Sequence, residues 1–288
     1  MTVTRTLIIG TRGSRLARIQ TDIVVGLLPG VLVEIRVVRT EGDRTQAQNT
    51  PLDQLPRGVF VKELEAALLD GSIDLAVHSL KDMTTDQDPR LTVAAIPARE
   101  DPRDVLVGAR LTDLPAGARV GTSSPRRTAQ LRAIRPDLRF ESIRGNVDTR
   151  VRKVEDGEYD AAVLAAAGLA RLGLEDKIAE YFTPETCLPD PGQGALAVQV
   201  RASDKALIDL LAPLNHHPTR AAVTAERALL RELGGGCKVP IGAMGVVENG
   251  RLTLYGVIEN VRASVSGPAD DPEGTGVALA RDLARHAG

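Results

Sequence analysis

The stretch DGSIDLAV at 70–77 returns 86 residues later as DGEYDAAV at 156–163, and this pair decides the fold. In each copy an Asp-Gly that stops a helix precedes an apolar run of a length suited to one buried strand. A second pair lies ahead of it in the same order: Gly10-Thr11-Arg12-Gly13-Ser14 and Gly121-Thr122-Ser123-Ser124, offset by 111. Both join an apolar strand to a helix. Leu16, Ile19, Ile23 and Leu27 recur at helical spacing behind Ser14, a natural N-cap. Pro125 stands where a helix favours proline, at its first position. Two matches in one order are explained by two similar α/β domains. Their offsets differ by 25 residues, a surplus that falls in Thr40–Arg57, which contains Gly, Asp, Asn and Pro and has no clear period.

Working outward, Leu7–Ile9 reads as a short strand, and Val33, Ile35 and Val37 alternate as another. Phe60–Leu69 reads as a helix closed by Gly71, followed by strands Ile73–Val77 and Leu91–Ile96. Strand Leu138–Ser142, a helix from Asn146 to Asp156 and strand Ala161–Ala165 repeat the order, and Ala195–Val200 is a buried strand returning to the first domain. This alternation implies βαβ units and parallel sheets. A third region starts near Pro218, with a helix around Ala221–Leu230 that stops at Gly234-Gly235-Gly236. It continues with a strand over Leu252, Leu254 and Gly256–Ile258, a loose loop over Gly267–Gly276 and a last helix, Val277–His286. Ligands of open α/β sheets bind outside the carboxyl ends of the strands, so two such domains facing each other make a cleft.

Composition narrows the class. At 288 residues, 43% hydrophobic and 26% charged, the chain has an ordinary globular balance. Aromatic residues at 2% exclude a stacking platform for single-stranded nucleic acid, and a net charge of −2 argues against a globally basic nucleic-acid binder. Of 36 basic residues, 30 are Arg and 6 are Lys. GC-rich coding produces such a ratio, and so does a need for planar, bidentate grip on carboxylate or phosphate. From Arg119 to Arg152 nine Arg face three acids, whereas Lys153 to Asp190 has nine acids against three bases. A basic block inside an acidic whole points to a small anionic ligand. The two cysteines form no disulfide framework and no CxxC or Cys/His metal spacing. The N-terminal apolar run is too short for a signal-peptide core, and no run reaches membrane length. A cytoplasmic protein with reduced thiols is expected.

Several residues stand out. Arg12, Arg126, Arg127, Arg144 and Arg150 fall at strand ends or first helical turns, where free N–H groups make anion sites. Ser79-Leu80-Lys81-Asp82 follows a strand, so Asp82 is a candidate general acid/base or cation stabiliser; the alternatives are a helix cap or an ion pair with Lys81. Cys237, directly after three glycines, reads as an accessible thiol near arginines, able to act as a nucleophile. Cys187 reads as a small buried residue, His78 as a core histidine and His216-His217 as a loop or hinge. Gln193, in Pro191-Gly192-Gln193-Gly194, either donates to a ligand or caps a turn.

On these residues the chain resembles the porphobilinogen deaminase (hydroxymethylbilane synthase) family. The resemblance is carried by TRGSRLARIQT (11–21), FVKELEAALL (60–69), DLAVHSLKD (74–82), EDPRD (100–104), GTSSPRR (121–127), RGNVDTR (144–150), AAAGLARLGL (165–174), PGQGALA (191–197), LNHHPT (214–219), TAERALL (224–230) and GGGCKVPIG (234–242). It implies an α/β fold of two periplasmic-binding-protein-like domains around a cleft, plus a smaller C-terminal α/β domain carrying the cofactor cysteine. The implied division is 1–96 with 194–214, then 97–193, then 215–288. It implies stepwise condensation of porphobilinogen into hydroxymethylbilane with release of ammonia, on a dipyrromethane cofactor joined to Cys237 by a thioether. By motif match Lys81, Thr122, Ser124, Arg126, Arg127 and Arg150 hold the cofactor. Arg12, Ser14, Gln20, Phe60, Arg144, Arg171 and Gln193 hold substrate or the growing chain, and Asp82 is catalytic. A monomer without nucleic-acid or membrane partners is implied. Arg57 precedes Gly58, Val59 and Phe60 where the family usually has lysine, which keeps the charge and changes the geometry. A non-catalytic anion-binding module is the rival reading, and it has no need of Cys237 or Asp82.

Overall fold

In each repeat the second aspartate of the motif does the same mechanical job. Asp74 Oδ2 accepts the backbone N–H of Ile8 at 2.8 Å, and Asp160 Oδ2 accepts that of Arg119 at 2.6 Å. Each carboxylate thus pins the start of a neighbouring strand, a charge-assisted bond of about 1.5–3 kcal/mol. The motif's glycines, Gly71 and Gly157, have φ of +79° and +73° and turn the chain out of the preceding helix, a conformation that costs a residue with a Cβ.

A computed structural model describes residues 5–43, 58–234 and 239–287; Cys237, Arg57 and the 53–56 stretch lie outside them. The chain divides into two compact units, Met1–Arg99 with Ala195–Arg220 and Glu100–Gly194 with Ala221–Gly288.

The first unit contains β1 (Leu7–Thr11), α1 (Arg15–Gly26), β2 (Val33–Val37), α2 (Lys62–Leu69), β3 (Leu75–Ser79) and β4 (Leu91–Ala95). The second begins with β5 (Asp104–Val107), β6 (Arg119–Gly121), α3 (Pro125–Ile134), β7 (Arg139–Glu141), α4 (Val147–Glu155), β8 (Ala161–Ala165), α5 (Ala166–Leu172) and β9 (Ile178–Tyr181). The chain then gives the first unit β10 (Leu196–Arg201) and α6 (Lys205–Leu211). Helix α7 (His217–Glu232) leads to β11 (Ile241–Glu248), β12 (Arg251–Ile258), β13 (Val261–Pro268) and α8 (Pro272–Ala287).

The two larger sheets have one topology, β2-β1-β3-β10-β4 and β7-β6-β8-β5-β9. In each, three strands are parallel, as the alternation requires. The expectation of purely parallel sheets is corrected, because β10 runs antiparallel to β3 and β4, and β5 antiparallel to β8 and β9. Leu7, Ile9, Leu75, Val77 and Val198 centre the first core, and Leu106, Val120, Leu131, Val163 and Phe182 that of the second sheet. Ser14 caps as read, its Oγ accepting from Ala17 N at 3.3 Å, and Ser124, ahead of Pro125, caps its helix in the same way, its Oγ accepting from Arg127 N at 3.4 Å.

The third, smaller sheet is an antiparallel meander, β11-β12-β13, covered by α7 and α8 through Ala225, Leu229, Leu254, Leu279 and Leu283. The expected loose loop over 267–276 is instead the end of β13 and the first turn of α8. Its glycines serve proximity rather than flexibility. A Cβ on Gly276 would lie 2.4 Å from Ala225 O and 2.6 Å from Ala228 Cβ, so only glycine lets α8 approach α7. Gly276→Ala is therefore expected to cost about 1–3 kcal/mol through overpacking, measured as a lowered urea midpoint with unchanged m-value.

Candidate functional site

The groups singled out by sequence gather at the carboxyl ends of the parallel strands, where open α/β sheets bind ligands. In the first unit Arg12 and Ser14 follow β1, and Lys81 and Asp82 form a single 3₁₀ turn, Leu80–Asp82, directly after the central strand β3. Both side chains of that turn are half-buried. Arg12 lies over the Phe60 ring at 3.9 Å and pairs with Asp43 at 2.6 Å, so two predicted substrate-binding residues meet. Burial pushes the Asp43 carboxyl up, but the Arg12 bonds and charge, with help from Thr40, outweigh it and hold it below the usual value. Gln20 is buried and donates through Nε2 to Ser79 Oγ at 2.9 Å, which brings it to the residue preceding the Lys81–Asp82 turn.

His78 is buried on β3 as expected, 2.9 Å from Gln199 Oε1. Burial, against the Gln199 bond and with the Arg12 charge adding to it, lowers its pKa to about 4.

In the second unit Thr122 Oγ1 accepts from Ser124 N at 3.2 Å, shaping the turn between β6 and α3. Arg126 and Arg127, in the first turn of α3, are both buried and both bound to Asp104. Arg126 Nη1 reaches Asp104 Oδ2 at 2.6 Å and also donates to Leu188 O. Arg127 gives Nε at 3.0 Å and Nη2 at 2.7 Å to Oδ1, and Nη1 to Val163 O at 2.8 Å. Burial raises the Asp104 carboxyl, but two guanidinium groups outweigh that and hold it far below the ordinary carboxylate range. Because β5 is antiparallel to β8, its first residue stands at the site end, with Asp104 paired to Ala165.

Beyond that triad, Arg144 and Arg150 have no ion pair among the described residues. Arg150 donates through Nε to Gly145 O at 2.9 Å, and burial together with the charges of Arg127 and Arg144 lowers its pKa to about 10. Arg144, which follows β7, is lowered by burial, and its buried Nε has no hydrogen-bond partner among the described residues. Arg171 donates to Gly194 O at 2.7 Å, and burial lowers it against the charge of Glu100. Gln193 is wholly buried, and its Nε2 donates to Pro102 O at 2.7 Å and Asp104 Oδ1 at 2.9 Å. Cys187 is buried as expected. Its thiol is pushed up to about 12 by burial and by Asp104, against the two arginines, which makes it inert.

Within each unit, then, Arg12 meets Phe60; Thr122 meets Ser124; Arg126, Arg127 and Gln193 converge on Asp104; and Arg127 and Arg144 both act on Arg150. The sequence reading missed Asp43, Ser79 and Asp104. Asp104 had a legible signal, because a charge heading the wholly apolar strand Asp104–Val107 requires a partner. Among the described residues there is no His/Cys/Asp/Glu cluster suited to a metal, and no helix long and apolar enough to cross a membrane.

Residues 7–209 match the family model "Porphobilinogen deaminase, dipyromethane cofactor binding domain", and residues 220–285 match "Porphobilinogen deaminase, C-terminal domain". The chain belongs to the porphobilinogen deaminase family. It is 50% identical to the porphobilinogen deaminase of Roseiflexus castenholzii over 96% of this chain and 95% of that one. It is 47% identical to the Thermus thermophilus protein of the same name, covering 99% and 97%. A periplasmic binding protein of Salmonella typhimurium with high arginine specificity is 13% identical over 73% of this chain and 92% of that one. Its TM-score of 0.38 is too low to carry weight, and the fold class rests on the two five-stranded sheets and the smaller third sheet.

The depressed histidine makes stability depend on pH. Between pH 6.5 and 4 the unfolded chain protonates His78 and the folded one does not, so its contribution is complete above 6.5 and declines as pH falls toward 4. Urea unfolding at pH 7 and pH 4.5 is expected to show wild type losing about 2–3 kcal/mol more than His78→Gln.

Proposed function

We propose that this chain joins four porphobilinogen molecules head to tail into hydroxymethylbilane, releasing ammonia at each step, as a transferase of tetrapyrrole biosynthesis. The observation that carries the site assignment is the uncompensated arginine cluster. Arg150 is buried within the field of both Arg127 and Arg144, Asp104 is the buried partner of Arg127, and the buried Arg144 Nε has no partner among the described residues. Each pyrrole ring carries an acetate and a propionate, so a dipyrromethane brings four carboxylates, a group suited to such a donor set.

Cys237, Lys81, Thr122, Ser124, Arg126, Arg127 and Arg150 are the residues we assign to hold the cofactor, with Cys237 as its covalent anchor. When bound, dipyrromethane supplies the electron-rich pyrrole carbon to which the first ring is joined. Arg12, Ser14, Gln20, Phe60, Arg144 and Arg171 are assigned to porphobilinogen and the growing chain. Ser14 and Ser124 accept helix N–H groups through Oγ, and each keeps its hydroxyl proton to give a carboxylate. Arg12, held by Asp43 and laid on Phe60, presents a positioned edge in place of a mobile charge.

As ammonia leaves porphobilinogen, positive charge spreads over its pyrrole ring. Asp82, fixed by the turn after β3, stabilises that charge and takes up the proton released as the carbon–carbon bond forms. We further place the protein in the cytoplasm as a monomer, divided at 1–96 with 194–214, 97–193 and 215–288, on the free, buried Cys187 and the three separate sheets.

Protein purified from cells that make porphobilinogen is expected to weigh the polypeptide plus one dipyrromethane; a bare polypeptide mass overturns the reading. Asp82→Ala is expected to lower turnover roughly a hundred- to ten-thousand-fold while the adduct and the far-UV spectrum persist. Unchanged turnover removes Asp82 from its role.

A further inference from the structure

The turn Pro191–Gly194 is entirely buried, and three of its groups are engaged with different parts of the second unit. Gly192 N donates to Glu226 Oε2 at 2.7 Å, and Glu226 Oε1 accepts from Gly245 N at 2.8 Å, which ties the turn to α7 and β11. Gly194 O accepts from Arg171 Nη2 at 2.7 Å. Gly192 and Gly194 have φ of +78° and +84°, so the turn's course depends on glycine at both positions. Between them Gln193 sends Nε2 to Asp104 Oδ1 at 2.9 Å and Pro102 O at 2.7 Å.

Asp104 Oδ1 therefore accepts from Gln193 Nε2 and from Nε and Nη2 of Arg127, while Oδ2 takes Arg126. A carboxylate between two guanidinium groups has several nearly equivalent rotations. A neutral donor anchored to a rigid turn selects one of them, and with it the direction in which Arg127 presents its remaining N–H groups. We propose that Gln193 is a positioning residue, acting through Asp104 to orient the Arg126–Arg127 pair toward an anionic ligand, rather than a substrate contact. The proposal rests on the reading that this pair holds carboxylates, and it explains why an amide with both N–H groups used inside the protein sits in a motif beside the site.

The experiment reads the relay and the loading separately. Apo-protein from cells lacking porphobilinogen is labelled with ¹⁵N-arginine, and the Arg127 Nε–H signal is assigned by its loss in Arg127→Lys. Gln193→Met, which keeps the length and removes the donors, is expected to move that signal and to slow formation of the Cys237 adduct at least tenfold by intact mass. The KM of the fully loaded fraction for porphobilinogen is expected to stay within twofold. An unmoved Arg127 signal overturns the relay, as does a raised KM with normal loading, which is the behaviour of a direct contact. A moved signal with normal loading overturns the positioning role. In that case Arg127→Leu separates the causes: normal loading in Arg127→Leu also removes the carboxylate reading of the pair, whereas slowed loading leaves that reading standing. If Gln193→Met does not fold, Gln193→Glu, with the same outline and no amide donor, reports through the same signals.

Discussion

Asp104 is a fully buried carboxylate between two guanidinium groups, and burial makes that arrangement all or nothing. Removing the ions from water costs several kcal/mol each, which is recovered only when geometry and hydrogen bonding are complete. The bonding is extensive: Asp104 Oδ1 and Oδ2 share four N–H donors, and Arg126 and Arg127 extend further bonds to the Leu188 and Val163 carbonyls, while Arg126 Nε is buried with no partner among the described residues. Sheet topology is what permits it. A strand parallel to β8 would deliver its last residue to this end, whereas antiparallel β5 delivers its first, so a polar residue can head a strand whose other members are buried valine and leucine. The position of the arginine pair is thus a consequence of strand direction.

The repeated motif shows the same economy at the level of folding. Asp74 and Asp160 each accept a backbone N–H from the neighbouring strand's start, and Gly71 and Gly157 each end a helix in the left-handed region. A residue pattern conserved between the two halves of one chain therefore records mechanical constraints, while the residues that differ between the halves carry the chemistry. Arg12 is held by Asp43 and stacked on Phe60; Arg126 and Arg127 are held by Asp104. The halves share a scaffold and use their arginines differently.

This division also accounts for what could be read from the chain. Strands β1, β3, β6 and β8, and the capped helices behind Ser14 and Ser124, were legible because periodicity and capping are local. The repeat gave the shared topology of their parallel strands. Strands β5, β9, β11 and β13 were missed: β5 and β9 have four residues each, and β13 alternates small and polar residues that resemble a loop. The glycines of 267–276 misled because glycine marks both flexible turns and close helix contact, and only the partner surface of Ala225 and Ala228 distinguishes them. The arginines of the site were legible as types and positions. Which acid pairs with which arginine was not, even though Asp104 at the head of an apolar strand calls for a partner, because an ion pair 22 or 31 residues apart in sequence leaves no periodic trace.

The choice of arginine over lysine has a local physical reason, whatever coding bias adds. Burial and the neighbouring charges of Arg127 and Arg144 lower Arg150 from 12.5 to about 10, which leaves it protonated at neutral pH. A lysine starts lower, near 10.4, so the same kind of penalty would leave it a smaller margin above neutral pH. A crowded, partly desolvated cluster therefore keeps its charge with more margin when it is built from guanidinium groups. Arg144 adds a further cost there, because its Nε is buried without a hydrogen-bond partner among the described residues.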